Sequence, residues 1–294
     1  MVDFLNYLIN GVLSGLLYAL IAMGFVVIYR ASKVFNFAQG ELVVFGGYMV
    51  WWTVIQMGMP LWLGLPVAFL SAAIFGLLIE RVFFARLVGE SVFSMVMVTI
   101  GLLILIRGVV LVLFGPQVRA FPIIFPIEPL IWGDLIVSRT LLYGGLLTIA
   151  IGLGLSWYFN RTRAGLTMTA VAEDHQVSMS MGISVQHSIA IAWVLGSVLS
   201  TLGAIVHLSG RSINMMSSDI GLAALPVALL AGLESLAGLL LAGVLIGVVQ
   251  SLASAYLDPL VGGAIGSVFP FIVMLLMLLI RPTGMFGWKT IERV

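Results

Sequence analysis

"VIYRASKVFNFAQGELVVFGGYMVWW", residues 27–52, begins where one long apolar run ends and finishes inside the next. It carries Arg30, Lys33, Asn36, Gln39 and Glu41 within a dozen residues. The chain around it is 62% hydrophobic and only 9% charged, with a mean hydropathy of +1.21. Such a chain has too few polar groups to cover its outside, so its solvent must be largely lipid. A carboxylate a few residues into an apolar run therefore needs a local reason. One reading makes this a helix start. Asn36 would accept a backbone N–H as a cap, and Glu41 would sit in the first turns, where the helix dipole favours an anion by about 0.3–1 kcal/mol. The other has Asn36, Gln39 and Glu41 line a pathway or gate. The two are compatible.

A crossing needs roughly 20 apolar residues, so a chain of 294 has room for about eight or nine. Apolar runs fall at 7–29, 38–58, 62–80, 93–114, 140–159, 186–209, 219–233, 237–256 and 263–281. The expected fold is an all-α polytopic membrane protein of eight to nine transmembrane segments, some interrupted, in a single domain over 1–294. The first run lacks a basic flank and reads as a retained span rather than a cleaved signal. Alternate loops differ in charge. One set holds Arg30, Lys33, Arg81, Arg86, Arg161, Arg163, Arg281, Lys289 and Arg293; the other holds only Arg119, Arg139 and Arg211. The positive-inside rule then puts the N-terminus outside and the C-terminus in the cytoplasm. The units 7–80 and 186–256 share a pattern of long span, polar break, short Gly-rich run and span. Under that topology they point opposite ways, which gives the fold inverted-repeat character. Small residues recur four apart at Gly11 and Gly15, at Gly196, Ser200 and Ala204, and at Gly243 and Gly247. Such ridges let helices approach closely in lipid.

Other polar residues are read one by one. Arg107, deep in "GLLILIRGVVLVLFG", pairs with a carboxylate on a neighbour, snorkels outward, or touches a substrate. Asp219 is expected to cap a short helix, and Glu234 to serve a tight turn after Gly232. His187 and His207, near span ends, read as packed, hydrogen-bonded histidines. With no cysteine there is no disulfide, thiolate metal site or Cys nucleophile. H-E-x-x-H, G-x-S-x-G and the phosphate-cradling G-x-x-x-x-G-K-[ST] are all absent. No catalytic residue, metal site or cofactor is therefore predicted, and ATP hydrolysis by a P-loop in this chain is excluded. A net charge of +1 gives no reason to expect nucleic acid.

"NRTRAGLTMTAVAEDHQVSMSMGIS", residues 160–184, is too polar to span. Leu166, Ala170, Val177 and Met181 share one helical face, while Glu173, Asp174 and His175 fall largely on another. An amphipathic helix between two spans must bury its apolar face somewhere. The bilayer surface, a soluble partner subunit and the chain's own bundle are the candidates. Glu173 and Asp174 argue against the bilayer, which favours a basic polar face.

"YALIAMGFVVIYRASKVFNFAQGELVVFGGY", "RTRAGLTMTAVAEDHQVSMSMGISV", "ALLAGLESLAGLLLAGVLIG" and "IRPTGMFG" together resemble one family, in the same order over residues 10 to 290. It is the permease subunits of branched-chain (hydrophobic) amino-acid ABC importers, the LivH type. The resemblance implies a second, related permease as partner, two ATP-binding subunits below, and a periplasmic substrate-binding protein above. It implies a bacterial-type inner membrane and an ATPase held on separate chains. It also implies that 160–185 is the segment coupled to the ATPase, with Arg163, Gly165, Leu166, Ala170, Glu173, Asp174 and Gly182 as its motif positions. The sequence departs from the family at Pro226 and at the "AGLES" turn, which leaves substrate choice open, since relatives also carry urea, short amides or other small acids. The rival class is a stand-alone secondary transporter or channel, which should hold a paired buried carboxylate or proton relay in mid-membrane. A non-transport scaffold is more distant.

Overall fold

The computed structural model describes residues 2–87 and 90–287. Lys289 and Arg293, two of the basic residues counted for orientation, lie outside them. The described chain is nearly all α-helical, with six helices long and apolar enough to cross a membrane. These are α1 (Val2–Ser32), α3 (Leu61–Val82), α4 (Val92–Phe114), α5 (Arg139–Arg161), α8 (Val185–Leu208) and α10 (Leu236–Tyr256). Three further apolar segments are shorter. They are α2 (Gln39–Trp51), prolonged by a π-turn at Trp52–Gln56, α9 (Asp219–Ala231) and α12 (Ile265–Ile280). Between them lie α6 (Arg163–Glu173), α7 (His175–Ser180) and α11 (Asp258–Val261).

The helix α1 is the axis of the bundle. From Gly15 to Ser32 almost every residue is buried, because α10, α8, α5 and α9 surround it. Two of the glycine ridges meet here. A Cβ on Gly15 would strike the Gly243 carbonyl, and one on Gly247 would strike Gly11 and Gly15. Backbone contact of this kind is the source of affinity between helices where lipid removes the hydrophobic drive. The third ridge works against α1 too, since Gly196 faces Ile28.

The molecule has two distinct ends. At the first, β1 (Arg119–Ala120) pairs with β4 (Ser212–Ile213), and β2 (Leu130–Trp132) pairs with β3 (Leu135–Val137). Asn6 and Asn10 of α1 tie down this second hairpin: the Ile136 N–H donates to Asn6 Oδ1 at 2.8 Å. At the opposite end lie Lys33, the α6–α7 segment and the turn between α9 and α10. Both strand pairs depart from the all-α fold that the sequence predicts. Each strand is only two or three residues long, too short to carry an alternating pattern.

Candidate functional site

Helix α2 starts deep in the bundle. The chain turns back after α1, and residues 34–38 bring Gln39 against Gly24 of α1. Gly24 is eight residues before the end of α1, which at 1.5 Å per residue is about 12 Å inside that end. The chain carries this helix start inward from the end of α1, and polar side chains make the burial tolerable. Asn36 Oδ1 accepts the Ala38 N–H at 3.0 Å, and Asn36 Nδ2 donates to Gln39 Oε1 at 3.3 Å. Gln39 Nε2 donates to Ser200 Oγ at 2.8 Å. Asn36 thus closes the turn one residue ahead of the helix rather than capping it. Ser200 is more than a small packing residue, and no spacing in the sequence linked it to Gln39.

Helix α9 starts at the same depth, from the other end. Asn214 accepts from the Ser217 N–H at 3.1 Å and caps the 3-10 turn Met215–Ser218, which feeds directly into α9. Asp219 opens α9 as the sequence suggested but makes no side-chain cap bond; the capping is done upstream. The two helix starts touch through glycines. A Cβ on Gly221 would lie 2.5 Å from the Gly40 Cα, and one on Gly40 would strike the Ser218 carbonyl oxygen.

Glu41, in the first turn of α2, is bound by Arg107 of α4. Arg107 donates to Glu41 Oε1 from Nε at 2.9 Å and from a terminal nitrogen at 2.6 Å; that nitrogen also donates to Ser218 Oγ at 3.0 Å. The Glu41 side chain is 2% exposed and that of Arg107 45%. Arg107 therefore answers the question left by Glu41, and each is the other's partner. Both lie on a crevice of about 420 Å³, counted with its open mouth. Its wall includes Phe25, Phe35 and Phe37, with Phe35 stacked on Phe25 at 4.9 Å and edge-on to Phe37 at 5.0 Å. Ser218 and the three phenylalanines were not singled out from sequence. The alternation Phe35-Asn36-Phe37 was the only signal available.

A second polar cluster gathers at the Lys33 end. Lys33 closes α1 with a left-handed backbone (φ 53°), which costs a non-glycine residue roughly 1–2 kcal/mol. Its ammonium lies 2.6 Å from Glu234 and 3.1 Å from Glu173. Burial alone would lower its pKa, but the bonds and charges of Glu234 and Glu173 prevail and raise it above that of an ordinary lysine. Lys33 is thus firmly cationic, and it joins α1 to α6 and to the α9–α10 turn. Arg30, one turn earlier, donates to Thr169 Oγ1 at 3.3 Å and lies 4.6 Å from the Phe159 ring centre. Glu234 serves the turn, as read from sequence, with Gly232 at φ +77°. The "IRPTGMFG" stretch folds back on this turn: Met285 and Phe286 donate backbone N–H bonds to Leu230 and Ala231 at 2.8 and 3.1 Å.

The 160–184 segment is two helices rather than one. Thr162 caps α6 by accepting from the Gly165 N–H at 3.1 Å, and Gly165 is pressed on Phe159 so closely that a Cβ would not fit. The helix stops at Asp174, whose backbone is extended (φ −155°) and whose Oδ1 accepts the Val177 N–H at 2.9 Å, restarting the chain as α7. Gly182, at φ +77°, follows the end of α7. Met168 and Val171 are buried against the bundle, while Leu166, Ala170, Val177 and Met181 are exposed. Arg163 is exposed at the start of α6, and Glu173 turns to the chain's own Lys33.

The family described as "Branched-chain amino acid transport system / permease component" matches residues 7–278. The high-affinity branched-chain amino acid transport system permease protein BraD of Pseudomonas aeruginosa is 29% identical over 308 residues, covering 99% of this chain and 98% of its own. LivH of Salmonella typhimurium is 28% identical over 307 residues, and LivH of Escherichia coli K12 is 27% identical over 313; both alignments cover 99% of this chain and 98% of the relative. No solved structure matches. A multi-pass helical chain matched from end to end in this way belongs to the branched-chain amino acid transport permease family.

Proposed function

We propose that this chain is the translocation subunit of an ATP-driven ABC importer for branched-chain or other hydrophobic amino acids. The observation that carries this reading is the crevice at the meeting of α2 and α9. Discontinuous helices whose starts meet inside a bundle are how transporters build a substrate path without lipid-exposed backbone. Glu41, with Arg107 and Ser218, forms the polar lining of that path; Asn36 and Gln39, also expected there from sequence, are buried outside the crevice wall and hold the start of α2 behind it.

Several features support a single domain of eight to nine crossings. Segments 33–56 and 209–231 each run from one end of the molecule to the other, because each short helix is completed by an extended lead-in. Units α1–α2 and α8–α9 run in opposite senses, in keeping with inverted-repeat character. Arg119 and Arg211 lie with Asn6 at one end, and Lys33 and Arg163 lie at the other. By the positive-inside rule the N-terminus is then periplasmic and the C-terminus cytoplasmic, in the inner membrane. The partners are a second homologous permease, two ATP-binding subunits docked below, and a periplasmic substrate-binding protein above. The exposed face of α6–α7, with Leu166 and Ala170 at its centre and Gly182 at its edge, is the surface for the ATP-binding subunit. A push on it reaches the path through Lys33 and Arg30, which hold α6 to the end of α1 just before the turn into α2.

One observation favours a second reading. Glu41 is a buried carboxylate paired with the half-exposed Arg107, a feature in the direction of what a stand-alone secondary transporter should hold. The lone chain in liposomes separates the two. It should show no ATPase activity above a mock preparation, and no leucine uptake under a proton or sodium gradient. Turnover of ATP, or gradient-driven uptake, by the chain alone would sink the importer reading.

A further inference from the structure

We propose that the Glu41–Arg107 crevice is a binding subsite for zwitterionic α-amino acids with apolar side chains, with Glu41 taking the ammonium and Arg107 the carboxylate. The inference rests on the importer reading above and deepens it. Only half of the Glu41 carboxylate is used inside the protein. Oε1 accepts both bonds from Arg107, whereas Oε2 is buried and has no partner among the described residues. Such an oxygen is rarely left without a donor, and an ammonium brings three. Arg107 is the complement. Its guanidinium has five N–H donors, three of its bonds go to Glu41 and Ser218, and its side chain stays 45% exposed. Its two remaining donors, both on the other terminal nitrogen, can hold a second carboxylate.

The charge balance selects the same class of ligand. Glu41 and Asp219 lie in the first turns of α2 and α9, opposed by Arg107 and by the positive ends of the two helices. A simple anion would meet two carboxylates, and a simple cation would meet the guanidinium. A zwitterion satisfies both signs and leaves the crevice neutral. The apolar wall of Phe25, Phe35, Phe37, Leu103, Leu222 and Leu225 then receives an aliphatic side chain.

Two measurements on the assembled importer test this. In the first, both charges are removed together in Glu41→Gln/Arg107→Gln. With neither ion left unpaired the fold should hold, checked by the melting temperature and by retention of the partner subunits. Leucine uptake should fall at least tenfold. Uptake within twofold of wild type overturns the proposal. In the second, labelled leucine is bound to wild-type permease and ATP-binding subunits without the binding protein, whose own selectivity would mask the effect. Leucinamide, which lacks the carboxylate, and 4-methylpentanoate, which lacks the ammonium, should compete at least tenfold less well than leucine. Equal competition by either, or no saturable leucine binding in a complex that transports leucine, also overturns it. An assembled wild-type importer that moves no amino acid at all overturns the importer reading itself, which is a different failure.

Discussion

Gly15→Leu should leave little folded protein in the membrane. The first atom added at Gly15 would collide with the Gly243 carbonyl oxygen, and would lie 2.7 Å from the Gly243 carbonyl carbon and 3.1 Å from the Gly247 Cα. These are backbone atoms, so no rotamer change relieves the clash. Helix α1 has nowhere to retreat, since α8, α5 and α9 pack on its other sides. Overpacking against side chains costs about 1–3 kcal/mol, and a backbone obstacle puts this change at or above the top of that range. Total stabilities are only about 5–15 kcal/mol. The measurement is monodisperse yield and melting temperature in detergent. Gly154→Ala is the control: nothing lies within 4 Å of its added carbon, and better helix propensity offsets any loss to within about 1 kcal/mol. Wild-type yield and melting temperature for Gly15→Leu would show that the α1–α10 seam is not the tight contact described.

Leu166→Asp or Ala170→Asp should release the ATP-binding subunit while the permease itself stays folded. Both residues are exposed, on the face of α6 turned away from Met168 and Val171, so a carboxylate there stays in water in the isolated chain. In a docked complex the same carboxylate would be buried unpaired, at a cost of several kcal/mol. A small contact cannot absorb that. Pull-down of the partner subunits with each variant, alongside its melting temperature, decides the matter. If the charged variants keep their partners and full uptake, α6 is not the docking element.

Residues whose meaning is local were legible in the sequence. The four-residue glycine spacing announced faces of close helix contact, because a helix repeats its faces at that interval, but not that the ridges of α1 and α10 meet each other. Glu234 after Gly232 announced a turn, and the polarity of 160–184 marked it as too polar to span, where the structure has only the short helices α6 and α7. Arg107 in an apolar run left a carboxylate partner, snorkelling and substrate contact open; the pairing with Glu41 joins residues 66 apart, and nothing in one chain's pattern chooses among carboxylates. The depth of the α2 start was hidden for a related reason. It depends on Gln39 finding Ser200 on α8, 161 residues later. The break at Asp174 escaped because one apolar face continues across it, from Ala170 to Val177, and periodicity registers faces rather than the extended residue that joins two short helices.

Reconstitution of this chain in liposomes with the proposed partner permease, ATP-binding subunits and substrate-binding protein, followed with labelled leucine, tests whether it is the path of an ATP-driven amino-acid importer. Leucine should accumulate only when ATP is present, and accumulation should cease when this chain is omitted. Accumulation that proceeds without ATP, or an ATP-driven uptake of urea or small amides with none of leucine, would contradict it.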